Sequence, residues 1–149
     1  MYPVVLALHN IFRWIVVVAA ILALVRAYRG WLRKSDWNNA DRRVGVFFTV
    51  SMDIQLLLGL LLYVFFSPIT RTALSDIGAA MGDPGARFFA LEHLFYMFLA
   101  VVFAHLGNTF AKKAAQAADK HRRAAIWYTL AILAILLGMP WMRRLLPGL

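Results

Sequence analysis

Four long apolar runs, separated by short polar and charged clusters, organise the 149-residue chain. They extend approximately over 4–27, 44–66, 88–111 and 124–142. Each satisfies the requirement of roughly 20 mostly apolar residues for a helix that crosses a bilayer. The punctuation fits helices of that length. Asp41 stands where it can cap the second run, Ser67-Pro68 stops it, and Asp83-Pro84 supplies a cap followed by a proline in the first turn of the third. The connection 67–87 is long for a simple antiparallel turn, and its stretch 72–81 predicts a short helix over the mouth of the bundle. The expected fold is all-α: one transmembrane domain, 1–149, in which four helices run up, down, up and down.

Composition sharpens this picture. The chain is 62% hydrophobic, more than one small soluble core could hide from water. Sixteen Lys and Arg face seven acidic residues, but the basic residues form short blocks between apolar runs and make no basic face with interleaved aromatics. That pattern anchors membrane loops and argues against nucleic acid as a partner. Cysteine is absent, which excludes disulfides, thiolate metal sites, covalent haem attachment and Cys nucleophiles. The opening Met1-Tyr2-Pro3 lacks the basic region of a cleaved signal, so the first run is expected to stay in the mature protein.

Charge also orients the helices. Arg26, Arg29, Arg33, Lys34, Arg42 and Arg43 fall in the first connection, and Lys112, Lys113, Lys120, Arg122 and Arg123 in the third. The other side has Arg71, Arg87, Arg143 and Arg144. The positive-inside rule then places connections one and three in the cytoplasm and both termini outside, in a bacterial inner membrane.

Ionisable residues inside membrane helices are costly, and so mark candidate sites. Here they are His9, Arg13, Asp53, Glu92, His93 and His105. His9 and His93 each lie five residues into their runs, about 8 Å below the outer end. Helices one and three are parallel in this topology and face each other across the bundle diagonal. Two imidazoles so placed can supply both axial nitrogens of a b-type haem, which needs no covalent attachment. The stripes below them are small: Ala100, Ala104, Gly107 and Ala111 under His93, and Val16, Ala20, Ala23 and Ala27 under His9. They either leave room for the porphyrin or serve close helix packing. Arg13 is expected to pair with Asp53, Glu92 or a haem propionate, and Arg71 and Arg87 to meet propionates at the outer surface. Ser51, Gln55 and Gly59 share a stripe nearly opposite Asp53, so helix two carries polar groups on two faces and hints at a partner subunit or a dimer. His105 finds no histidine at its own depth and is expected to be packed or hydrogen-bonded. His121 is expected in solvent.

The chain resembles the small four-helix bacterial membrane proteins described as cytochrome b or cytochrome b-like. The resemblance covers nearly its whole length. It rests on Leu8-His9-Asn10 with Arg13-Trp14, and on Gln55-Leu56-Leu57-Leu58-Gly59 with Leu62-Tyr63 and Ser67-Pro68. Further matches are Asp76-Ile77-Gly78-Ala79-Ala80-Met81 with Asp83, Arg87-Phe88-Phe89 before Glu92-His93, Lys120-His121 and Pro140-Trp141. The family often has a histidine where this chain has Asp53, so the resemblance leaves His9 and His93 as the pair expected to ligate haem b. The expected function, from the site and the topology, is electron transfer near the periplasmic face, with a redox protein, a larger membrane complex or quinone as partner.

Two other expectations compete with this one. The chain can be a cofactor-free accessory subunit of a larger redox complex, or hold a non-haem metal through His9, His93, Asp53 or Glu92. No phosphate loop, zinc-protease helix or Ser-His-Asp order points to a stand-alone enzyme.

Overall fold

The computed structural model describes residues 1–141 and is all-helical among them. The end of the fourth predicted span at Met142, together with Arg143 and Arg144, lies outside the described residues. Helix α1 (Tyr2–Arg33) starts with Pro3 in its first turn, where a missing N–H does no harm, and ends at Lys34 in the left-handed conformation with φ 52°. There the backbone N–H of Ser35 reaches back to the Gly30 carbonyl at 3.1 Å, satisfying an end group of the helix. Helix α2 (Asn39–Leu61) opens with a reciprocal capping box. Asn38 Oδ1 accepts from the N–H groups of Ala40 and Asp41, and Asp41 Oδ2 accepts from the Asn38 N–H at 2.9 Å. Asn38 is thus the cap and Asp41 its partner, one turn earlier than the apolar pattern suggests. Arg26 adds an ion pair to Asp41 at 2.8 Å, fastening α1 to the start of α2.

Helix α2 ends in a π-helical turn, Leu62–Phe66. The outer connection then forms two short helices rather than one, α3 (Pro68–Ser75) and α4 (Ile77–Gly82). They divide at Asp76, whose side chain leaves α3 to cap α4 by accepting from the Ala79 N–H. Helix α5 (Pro84–Arg87), capped by Asp83, leads through a second π turn, Phe88–Glu92, into α6 (His93–Lys113). The last helix, α7, is Ala117–Gly138.

Among the described residues, three continuous helical segments are long and apolar enough to cross a membrane: Tyr2–Arg33, Asn39–Phe66 and Pro84–Lys113. Helix α7 falls short of that measure among the described residues, because Asp119, Lys120, Arg122 and Arg123 occupy its first turns and its apolar remainder from Ala124 to Gly138 is only roughly 22 Å long. The outward faces carry large apolar side chains throughout, such as Val18, Ile21 and Val25 on α1 and Leu133 and Leu137 on α7. A surface of that kind is built for contact with lipid.

The long helices pack in chain order, α1 on α2, α2 on α6, α6 on α7 and α7 on α1. The alanine and glycine stripes are the contact surfaces: Ala20, Ala23 and Ala27 of α1, Ala100 and Ala104 of α6, and Ala124 and Ala131 of α7 are all buried in one core. Small residues let the backbones approach closely, which is the main attraction between helices in lipid. Close packing is therefore the role of the alanines in these stripes.

His121, expected in solvent, is 1% exposed. Gly30 of α1 leaves the recess that its ring occupies, and the Trp37 indole covers it at 4.9 Å between ring centres.

Candidate functional site

At the opposite end from the basic loops, the helices diverge around a cavity of about 430 Å³, a size typical of small-molecule and cofactor sites. It reaches from Tyr2 and Thr70 at the mouth down to Val17, Met52 and Val101. His9 and His93 both line it, from α1 and from the first residue of α6, with ring centres 6.3 Å apart and planes inclined at 71°. The two imidazoles that share depth in the sequence therefore share one cavity.

Their hydrogen bonds differ. His93 Nδ1 lies 2.7 Å from the Gly138 carbonyl oxygen, which can only accept, so Nδ1 carries the proton and Nε2 is left uncommitted. His9 is held by Gln55, whose Nε2 donates to the His9 carbonyl at 3.1 Å and lies 3.3 Å from the ring Nε2. Donation to that ring nitrogen puts the proton of a neutral imidazole on Nδ1, which is buried without a hydrogen-bond partner. Gln55 Oε1 is buried without one as well. Gly59, one turn above Gln55, gives the ring its space: a Cβ there would meet His9 Cε1 at 3.2 Å.

The 6.3 Å between ring centres is a spacing at which two imidazoles could hold one metal ion. An imidazole nitrogen sits about 2 Å from a metal it binds, so two rings sharing an ion would have centres up to about 6 Å apart. Turning over the Gln55 amide would set its orphaned Oε1 against an Nε2–H of His9 and free Nδ1 as a ligand. One rearrangement thus satisfies both unpartnered atoms, with loss of the bond to the His9 carbonyl. For His93 the bond to Gly138 leaves Nε2 unprotonated and so able to bind a metal, as carbonyl groups commonly do behind metal-bound histidines.

Two π turns frame the site. Tyr63, in the first, lines the cavity and donates from its hydroxyl to the Ala90 carbonyl in the second at 2.7 Å. Thr70 Oγ1 donates to the Tyr63 carbonyl at 2.9 Å, tying α3 to the same corner. Such turns insert an extra residue into a helix and recur beside functional sites. Here the second turn delivers His93 to the cavity directly.

The remaining sequence candidates are distributed as follows. Arg13 lines the cavity, with its guanidinium carbon 5.9 Å from the Trp14 ring centre. Arg71, on α3, and Arg87 are not among the lining residues. Arg87 instead pairs with Glu92 at 2.8 Å on an exposed face. Asp53 pairs with His105 at 2.8 Å rather than with Arg13, since it faces away from the cavity while Gln55, two residues on, faces into it. Among the described residues no three His, Asp or Glu come together as a metal cluster, and neither Asp53 nor Glu92 joins the two cavity histidines.

Gln55, Tyr63 and Gly138 are functional neighbours that the pattern of charges does not single out. Gln55 had a signal, a long polar side chain on the Ser51–Gly59 stripe within an apolar span. Gly138 had none, because a backbone carbonyl leaves no mark in a sequence.

Comparison with protein-family models, with curated proteins and with solved structures finds nothing that matches the chain.

Proposed function

We propose that the chain is a b-type haem protein of a bacterial inner membrane, passing electrons near the periplasmic face. The observation that carries this reading is the convergence of His9 and His93 on one apolar cavity, 6.3 Å between ring centres. In this reading four helices span the bilayer, with both termini outside, and the basic connections Arg26–Arg43 and Lys112–Arg123 stay in the cytoplasm.

His9 and His93 would hold the haem iron. Gly138 holds the His93 ring in its ligating tautomer, and Gln55 orients His9. Met52, Leu56, Met97 and Val101 keep water from the cavity, which favours the less charged state of a buried redox centre. Arg13 supplies a positive charge at the wall, suited to a propionate. Arg71 and Arg87, outside the wall, serve the outer surface instead. When bound, haem would supply a one-electron couple set by its ligands and surroundings. Quinone or another redox protein would meet the site at its outer mouth.

An absorption spectrum of protein purified from haem-replete cells tests the reading. Sharp reduced-minus-oxidised bands of a six-coordinate b haem are expected, and His9→Ala and His93→Ala should each abolish or broaden them. A colourless, folded preparation would overturn it and favour a cofactor-free accessory subunit.

A further inference from the structure

The Asp53–His105 pair lies on the outside of the molecule, in the groove between α2 and α6. Their side chains are 44% and 49% exposed, yet they hydrogen-bond at 2.8 Å. Asp53 stands near the middle of the Asn39–Phe66 segment, and His105 lies about 12 Å from the Lys113 end of the Pro84–Lys113 segment. In a bilayer that is hydrocarbon depth. Ionisable side chains there almost always face protein or a water-filled cavity, because lipid offers them no hydrogen bonds. Val50, Ile54, Leu57 and Phe98 surround the pair with exposed apolar side chains. No described residue covers it.

The chemistry of the pair says what can. His105 Nε2 donates to Asp53 Oδ1, and neither His105 Nδ1 nor Asp53 Oδ2 makes a hydrogen bond to any described residue. As a pair of zero net charge, the form that costs least in lipid, the two side chains offer one donor and one acceptor side by side. A two-fold axis presents the same two groups in reverse order, so a second copy is complementary to the first. We propose that this face is where a second copy of the chain docks, the Asp53–His105 pairs of the two copies closing into one hydrogen-bonded cycle of two carboxyl groups and two imidazole rings. That cycle is neutral, and each of its four groups gains the partner that lipid cannot give. Between helices in lipid, packing and such hydrogen bonds replace the hydrophobic drive, and the apolar collar supplies the packing. A helix of another protein would have to bring a donor and an acceptor at the same spacing. The inference rests on the membrane placement proposed above and is independent of haem.

The natural sequence has no cysteine, so single introduced cysteines report contacts cleanly. Val50→Cys and Leu57→Cys lie on the proposed face, and Leu133→Cys on α7 is the control. Oxidation in isolated membranes should yield a product of twice the 16.9 kDa chain mass at one or both of the first two positions and not at the control. Adding Asp53→Asn or His105→Gln should lower that yield about tenfold, and the exchange Asp53→His with His105→Asp should restore it. Yields no higher than the control, a product of any other mass, or yields indifferent to Asp53→Asn would each overturn the proposal. Release of the chain by an alkaline carbonate wash would overturn the membrane placement with it. Loss of the haem bands with cross-linking intact would sink the haem reading alone.

Discussion

His93 donates from Nδ1 to the Gly138 carbonyl at 2.7 Å, binding the first residue of α6 to the last of α7. That contact depends on how closely the two helices approach. A Cβ on residue 138 would stand 2.7 Å from Met97 Cε and 2.8 Å from Tyr96 Cβ. Gly138→Ala should therefore push α7 outward, lengthen the bond and free the imidazole to rotate. A stability loss of about 1–3 kcal/mol is expected from overpacking, read as a lowered unfolding midpoint in detergent. In haem-loaded protein the same variant should broaden the reduced bands less than His93→Ala does, and should not abolish them.

Gln55 orients His9 while withholding one of its nitrogens. In Gln55→Leu the two contacts to His9 vanish, and the side chain's unpartnered Oε1 vanishes with them. The loss and the relief oppose each other, so the net change in stability should stay within about 1 kcal/mol. Haem stoichiometry should be retained, since a free His9 remains able to ligate, but the midpoint potential should shift because the hydrogen bond behind the ligand is gone. Haem content and a redox titration of the purified variant check both outcomes.

Tyr63→Phe isolates the bond between the π turns. The phenyl ring keeps the packing, but the Ala90 carbonyl, in a residue only 3% exposed, loses its partner. Stranding a buried acceptor costs about 1–3 kcal/mol. Hydrogen exchange should rise locally across Phe88–Glu92, ahead of any change at the basic end of the molecule.

At the basic end, Gly30→Ala should be the most damaging single substitution considered, because the new methyl would coincide with the His121 ring. Neither group can give way easily, since Trp37 closes the recess from the other side. A loss of about 3 kcal/mol or more is expected, seen as collapse of the folded yield. The double variant Gly30→Ala with His121→Ala should recover most of that yield. By comparison, Asn38→Ala removes only the cap of α2 and should cost about 1 kcal/mol.

Much of this was legible beforehand where one-dimensional pattern has one physical cause. The membrane-length helices follow from apolar run length, and the stops at Ser67 and Asp83 from side chains that cap a helix end. The equal depth of His9 and His93 follows from a fixed rise per residue, and their convergence required only that both faces turn inward. The opposed polar faces of α2 were also readable: Ser51 and Gln55 are buried, while Asp53 is exposed on the far side.

The partners of those groups were not readable. Asp53 could have met Arg13 by depth alone; the packing of α2 on α6 gave it His105. The alanine stripes could equally have flanked a cavity or closed a helix contact, and the approach of the backbones made them contacts. His121 sits among charges in the sequence, yet an absent side chain at Gly30, ninety-one residues earlier, makes its burial feasible.

The sequence by itself determined the length, polarity and termination of the helices, because those depend on neighbours along the chain. Only the tertiary structure decided which nitrogen of His93 is free, what holds His9 and which polar pair faces outward. Those depend on carbonyls, glycine recesses and helix approach, which arise between segments far apart in the chain.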